Sequence, residues 1–330
     1  MTSAAHLLPH DAALAARVLA HERRALAKTI TLIESSRADH QQRAQALLEA
    51  LVPHTGNSLR IGISGVPGVG KSTFIEALGL HLIARGHRIA VLAIDPSSSI
   101  TGGAILGDKT RMERLAQSEA AFIRPSPASG ALGGVAHKTR EALLACEASG
   151  YDIIIVETVG VGQSEMTVAG MTDVFVVLQL PNAGDDLQAI KKGILELADI
   201  VVYNKADLDH TAAEVACGQM RSALHMLRAM SPHWQVPVLQ VSALQRLGVD
   251  LVWDTIQKHA GVMRASGDFD GKRRHQALQW MWTLIEVGLQ NKFREHAGVQ
   301  GALPGAQARV ASGSMTPTAA AQDLLNTFRN

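Results

Sequence analysis

Cysteine is almost missing. Cys146 and Cys217 are the only two, they stand far apart, and they form no C-x-x-C pair. That excludes a disulfide scaffold and a cysteine-rich metal site, and it reads as a reduced, cytoplasmic protein. Aromatic residues make up 4% of the chain, too few for a stacking platform along single-stranded nucleic acid. An excess of either charge is also lacking: 31 Lys and Arg face 30 Asp and Glu, a formal net charge of +1. No global attraction to nucleic acid or to an anionic membrane is expected from that balance. No apolar run approaches the ~20 residues of a membrane helix. The first residues do not read as a secretory signal, because His6, Pro9, His10 and Asp11 interrupt the apolar stretch.

What is present is core-forming material. Over 330 residues, 47% are hydrophobic and 18% charged, which excludes a largely disordered chain and suffices for one large domain with appendages, or for two domains. Three zones are expected. Residues 1–56 read as a helical extension: Leu14, Val18, Leu26, Ile30 and Ile33 fall at helical spacings, and a second helix is expected over 39–52, stopping near Pro53. Residues 57–265 alternate short β-branched runs (60–64, 88–94, 121–124, 151–157, 173–180, 200–204 and 236–242) with longer amphipathic segments. Runs apolar almost throughout suit strands covered by helices on both faces, so the expected class is α/β with a mostly parallel sheet. Residues 266–330 turn helical again, with a stripe of Leu278, Met281, Trp282, Ile285, Leu289 and Phe293, and Thr316-Pro317 as the start of a last helix.

The strongest local signal is Gly65-Val66-Pro67-Gly68-Val69-Gly70-Lys71-Ser72, followed by Thr73. It matches G-x-x-x-x-G-K-[ST] between an expected strand and an expected helix over 72–85. The glycines turn consecutive backbone N–H groups toward phosphate oxygens. Lys71 brings a point charge to the β- and γ-phosphates, and the Ser72 hydroxyl suits Mg²⁺. Asn204-Lys205-Ala206-Asp207 follows an apolar strand and fits N-K-x-D. Guanine offers two adjacent donors, N1–H and the 2-amino group, and one ionised carboxylate, Asp207, accepts both. Adenine would leave that carboxylate unpaired, a difference of several kcal/mol. Asn204 is expected to tie this loop to the phosphate loop, and the stem of Lys205 to cover the base. One strand later, Ser242-Ala243-Leu244 resembles the loop that meets guanine O6 through backbone N–H groups.

Acids follow other strands. Glu157-Thr158-Val159-Gly160 stands where GTPases read D-x-x-G, so Glu157 is expected to orient Mg²⁺ and Gly160 to sense the γ-phosphate. Asp95, opening Asp95-Pro96-Ser97-Ser98, and Asp108, in Gly107-Asp108-Lys109-Thr110, are candidates for Mg²⁺ or for the attacking water. Either one also suits a helix N-cap. Many GTPases place a water-orienting glutamine directly after that glycine. Here Val161 follows, and Gln163 lies three positions on. Slow intrinsic hydrolysis, accelerated by a partner, is the expectation.

Taken together, GISGVPGVGKSTFIEALG, AVLAIDPSSSITGGAILGDKTRM, FIRPSPASGALGGVA, ETVGVGQSE, QAIKKGILELADIVVYNKAD and the tail RRHQALQWMWTLIEVGLQNKF resemble the MeaB/ArgK family, the methylmalonyl-CoA mutase-associated GTPases. The resemblance covers essentially the whole chain, and generic GTPases lack DPSS and GDKTRM. It implies a homodimeric P-loop GTPase of SIMIBI type, with a G domain over 57–265, a helical N-terminal extension and a C-terminal dimerisation arm over 266–330. It implies GTP or GDP with Mg²⁺ as ligands, and a chaperone that gates cofactor loading and protects an adenosylcobalamin-dependent acyl-CoA mutase. It implies switch roles for 160–165, including Gly160, Val161, Gly162 and Gln163, and for 179–192, including Asp185, Asp186 and Lys191. Two other readings compete. One is an arginine/ornithine transport kinase, an older label of the same family. The other is a metallochaperone GTPase, which would need His/Cys clusters; His6 and His10 are four apart but have Pro9 between them.

Overall fold

The structure, a computed structural model, describes residues 7–94, 112–125, 132–158, 164–181, 192–226 and 231–329. It divides into two compact units, Met1–Asp270 and Gly271–Asn330. Among the described residues, no helix is long and apolar enough to cross a membrane.

The first unit is built on seven strands: β1 (Leu59–Gly65), β2 (Ile89–Ile94), β3 (Ala121–Arg124), β4 (Ile153–Thr158), β5 (Val174–Gln179), β6 (Ile200–Tyr203) and β7 (Val238–Gln240). They form one sheet in the order β3-β2-β4-β1-β5-β6-β7, and every pairing is parallel. All seven expected runs become strands, with ends moved by at most two residues. The alternation of faces explains their near-continuous apolarity. Ile61, Ile63, Ile153, Ile155, Val174, Val176 and Leu178 enter one core, while Ile154, Val156, Phe175 and Val177 enter the other. Parallel strands covered on both sides need this pattern.

The helix Lys71–Ile83 contributes Phe74, Ile75 and Leu78 to the first core, and the helix Val249–Ser266 contributes Val252, Trp253 and Ile256. On the other face, the N-terminal helices Pro9–Leu19, Arg23–Glu34 and Ala38–Leu51 share their core with the helix Leu132–Ala148 through Val18, Leu26, Ile30, Leu47, Leu51, Leu143 and Cys146. The helical stretch through Leu14 to Ile33 is thus two helices. His21 takes φ +63° between them, a left-handed turn that ends the first helix and that nothing in the hydrophobic spacing announces.

The phosphate-loop strand is anchored at its entry. Glu147 of the helix Leu132–Ala148 has a side chain 1% exposed and takes both Arg60 guanidinium bonds, from Nε at 2.8 Å and Nη2 at 3.1 Å. It also accepts from the Ser58 hydroxyl and from the Gly56 N–H. Burial by itself would raise this carboxyl, but Arg60, Ser58 and Gly56 outweigh it and hold the group below its ordinary value.

In the second unit, the part of the helix Asp268–Glu295 beyond Asp270 is followed by the helices Ala297–Ala311 and Pro317–Arg329. Thr316 caps the last one, its Oγ1 accepting from Ala319 N at 3.2 Å, as Thr316-Pro317 leads one to expect. The helix Ala297–Ala311 was not singled out by the pattern, and Pro304 lies inside it.

Glu147→Ala should cost about 3–5 kcal/mol of stability at neutral pH, because it strands the Arg60 charge in the interior. A carboxyl depressed in the folded state stabilises above its unfolded pKa and loses that contribution as the pH falls through its folded value. Denaturation curves of wild type and variant should therefore converge on acidification below the carboxylate range. A difference that stays constant through that range and below it would remove the charge from the explanation.

Candidate nucleotide site

Gly65 closes β1, and Lys71, Ser72 and Thr73 open the following helix. Between them the chain makes a tight loop in which Gly68 has φ +78° and Gly70 φ +91°. Gly70 could carry no side chain for a second reason: a Cβ there would stand 2.8 Å from Asn204 Nδ2. Val69 is fully buried beneath the loop. The helix therefore starts on a left-handed glycine rather than a capping side chain, and its first N–H groups and positive dipole end are left for an anion. Lys71 Nζ arches back over the loop and donates to the carbonyls of Gly65 at 2.5 Å and Val66 at 3.3 Å.

Three loops at the carboxyl edge of the sheet meet at one buried side chain. Asn204, 2% exposed, follows β6. Its Nδ2 donates to the Val69 carbonyl at 2.8 Å, and its Oδ1 accepts from Ala243 N at 3.0 Å. The phosphate loop, the N-K-x-D loop and the Ser242-Ala243-Leu244 loop are fastened together by that amide. Lys205, at φ +62°, lays its stem across the same gap, with Nζ donating to the Gly68 carbonyl at 2.8 Å. A cavity of about 280 Å³ opens here, lined by Gly70, Thr73, Asn204, Lys205, Asp207, Leu208, Ala243 and Leu244. All but one of these were singled out from the sequence.

Leu208 is the one missed, and the apolar residue behind Asp207 was its only signal. Leu208 is 77% exposed and Leu244 79%. An exposed leucine means little by itself, but two on the wall of one cavity suit the faces of a flat base. Ser242 has a structural part: its N–H and carbonyl pair with Leu247 at 3.0 Å each, and its Oγ accepts from Gln245 N at 3.2 Å.

Glu157 is 3% exposed near the end of β4. It is in register with Ile63 of β1 on one side and Ala93 of β2 on the other, so it stands beside the strand that feeds the phosphate loop. Its neighbour Thr158 donates to Ser64 Oγ at 3.0 Å, joining the two strand ends. Asp95, Asp108, Gly160, Val161, Gly162, Gln163, Asp185, Asp186 and Lys191 lie outside the described residues.

Among the described residues, no group of three or more His, Cys, Asp or Glu is placed to hold a metal ion by itself. A magnesium ion on a phosphate chain asks for less: one or two hard oxygen donors, with phosphates and water completing its shell. Ser72 and Glu157 carry donors of that kind, so the residues fit the ion.

The model of the family "Methylmalonyl Co-A mutase-associated GTPase MeaB" matches residues 26–298. The chain belongs to the MeaB family. MeaB relatives bear this out: the chain is 52% identical to GTPase ArgK of Escherichia coli, over 82% of each sequence. It is 45% identical to the mitochondrial methylmalonic aciduria type A homolog of Mus musculus, over 94% of this chain and 77% of that one. A solved structure described as a LAO/AO transport system kinase superposes with a TM-score of 0.79 at 38% identity, over 97% of this chain and 98% of that one. The protein is therefore a MeaB-family GTPase on a P-loop fold, which implies a guanine nucleotide as its ligand.

Asn204→Ala should lower GDP affinity at least about tenfold and cost roughly 2–4 kcal/mol of stability, since two buried bonds go and the Val69 carbonyl and Ala243 N–H lose their partner. Calorimetry with GDP and thermal melting measure both. An unchanged affinity would deny that the fastening of the three loops matters for binding.

Proposed function

We propose that this GTPase is a chaperone of an adenosylcobalamin-dependent acyl-CoA mutase, methylmalonyl-CoA mutase or a close relative, gating its cofactor loading and protecting it from inactivation. The observation that carries the reading is the family match along 26–298, a family described as mutase-associated. The likeness to the mouse methylmalonic aciduria type A homolog supports it. The scarcity of cysteine supports action in a reducing compartment, which we take to be the cytoplasm.

The roles within the site follow from chemistry. The N–H groups that begin the helix Lys71–Ile83 receive the phosphates, and Lys71 exchanges its loop carbonyls for the β- and γ-phosphate oxygens. Ser72 and Glu157 hold Mg²⁺, with Asp95 and Asp108 as further oxygen donors or as orienters of the attacking water. When bound, the ion neutralises charge on the β- and γ-phosphates. Asp207 accepts both guanine donors, Lys205 and the two leucines cover the base, and the Leu244 N–H meets O6, the Ala243 N–H being held by Asn204. Gly160 feels the γ-phosphate, and the segments around Gly160, Val161, Gly162 and Gln163 and around Asp185, Asp186 and Lys191 carry the signal to the mutase. With no glutamine directly after Gly160, hydrolysis by the protein alone is slow.

A homodimer belongs to this reading. Leu278, Trp282 and Leu289 repeat along one face of the helix Asp268–Glu295 and are 58%, 60% and 55% exposed, a stripe that a second copy would cover. Ending the chain after Asp270 should give a monomer that still binds GDP, since the nucleotide residues all lie in the first unit. Light scattering reads the outcome, and a truncated protein that remains a dimer removes this arm as the interface.

A second reading, a phosphotransferase, is favoured only by the solved relative described as a transport kinase. One experiment addresses both. Wild type and Glu157→Ala are mixed with the mutase in GDP and in a non-hydrolysable GTP analogue, and hydrolysis is followed alongside. The expected result is nucleotide-dependent complex formation in wild type, and in the variant a hydrolysis rate at least about tenfold lower with GDP affinity kept and the nucleotide dependence lost. A wild type that ignores the mutase in both nucleotides, and that passes phosphate from GTP to a small acceptor, would replace the chaperone by the kinase.

A further inference from the structure

We propose that Gln245 is a positioning residue for guanine recognition, its side-chain amide holding the Asp207 carboxylate without lining the base cavity. The inference rests on the reading of Asp207 as the acceptor of guanine's two donors, and it concerns how that acceptor is kept in line.

The two residues face each other from turns that are each closed by backbone. On the Asp207 side, Ala206 N donates to the Val241 carbonyl and Leu208 N to the Lys205 carbonyl, both at 3.1 Å, with Lys205 in the left-handed region. On the Gln245 side, Ser242 and Leu247 exchange both backbone bonds at 3.0 Å. Gln245 N binds Ser242 Oγ, and Arg246 takes φ +59°. The two Cα positions are therefore set by main chain, not by the side chains between them. Across the gap, Gln245 Nε2 stands 3.5 Å from Asp207 Oδ2. The cavity wall runs through Asp207, Leu208, Ala243 and Leu244 and does not include Gln245. Gln245 therefore touches the carboxylate without itself lining the space left for the base.

This arrangement answers a geometric demand. To accept N1–H and the 2-amino group together, a carboxylate must keep both oxygens in the plane of the base. The last torsion of an aspartate is broad and resists little. Each carboxylate oxygen has two lone-pair directions. A donor on the outer one of Oδ2 restrains rotation and leaves the inner directions to the base, so it assists without competing. A neutral amide suits the task better than Lys or Arg, whose charge would draw the carboxylate into an ion pair of its own. At 3.5 Å, and open to water, the contact is at the outer limit of a hydrogen bond, so an effect of several-fold is expected.

The test uses the full chain. Gln245→Ala keeps the Gln245 backbone bond to Ser242 and should melt as wild type does. Affinities are measured for GDP and for inosine diphosphate, which lacks the 2-amino group. The expected result is a loss of about two- to tenfold for GDP, a smaller loss for inosine diphosphate, and a raised KM for GTP with kcat at saturation retained. Gln245→Glu, which sets a like charge against Asp207, should cost more than Gln245→Ala. An unchanged GDP-to-inosine-diphosphate preference, or equal losses for both nucleotides, overturns the proposal. Asp207→Asn is run beside it with GDP and xanthosine diphosphate. If that variant keeps its preference for guanine, the reading of Asp207 itself fails. If it turns toward xanthine while Gln245→Ala leaves the preference alone, only the role of Gln245 fails.

Discussion

The amide of Asn204 is the joint on which the nucleotide site hangs. It is buried at the carboxyl edge of the sheet, gives its N–H to the Val69 carbonyl and takes the Ala243 N–H on its oxygen. An amide is the one small side-chain group that donates and accepts at adjacent atoms, so a carboxylate or a hydrocarbon of similar size could not make both bonds. Because the bonds are buried, breaking them leaves main-chain groups without water to replace them. The phosphate loop, the base-reading loop and the loop after β7 consequently hold one geometry together. The close approach also dictates its neighbour: Gly70, facing Nδ2, has no room for a Cβ.

The sheet order makes that joint possible. β1 lies between β4 and β5, and β6 follows β5, so the loops after β1 and β6 open on the same edge, beside the carboxyl end of β4. Parallel strands put all their carboxyl ends on one side, which is where such sheets bind ligands. Glu157 is brought beside the strand of the phosphate loop by register, paired with Ile63. The strand carrying the phosphate loop is in turn fixed at its start by the buried pair of Arg60 and Glu147, a polar anchor under an otherwise apolar sheet. Such a pair is weak as a net source of stability. Here it links the helix Leu132–Ala148 to β1, and that same helix shares its core with the N-terminal helices.

Much of this was legible in the residues. Seven β-branched runs marked seven strands, because a strand covered on both faces must be apolar on both. The phosphate loop and the N-K-x-D turn were legible because their chemistry needs particular residue types at fixed spacing. Other features left no local trace. The turn at His21 breaks what the spacing joins, since helical periodicity can resume in phase after a break. Leu208 looked like any surface leucine until the cavity appeared beside it. Gln245 had no motif at all, and its meaning comes from an aspartate 38 positions earlier in the chain.

By itself, then, the sequence determined the class of fold, the phosphate-binding chemistry and the preference for guanine, all of which rest on residue type and short-range spacing. Which loops touch, and through which atoms, was decided only by the tertiary structure. The partners of Asn204 lie 135 positions before it and 39 after it, and no pattern of neighbours along a chain encodes a contact between residues that only the pairing of parallel strands brings together.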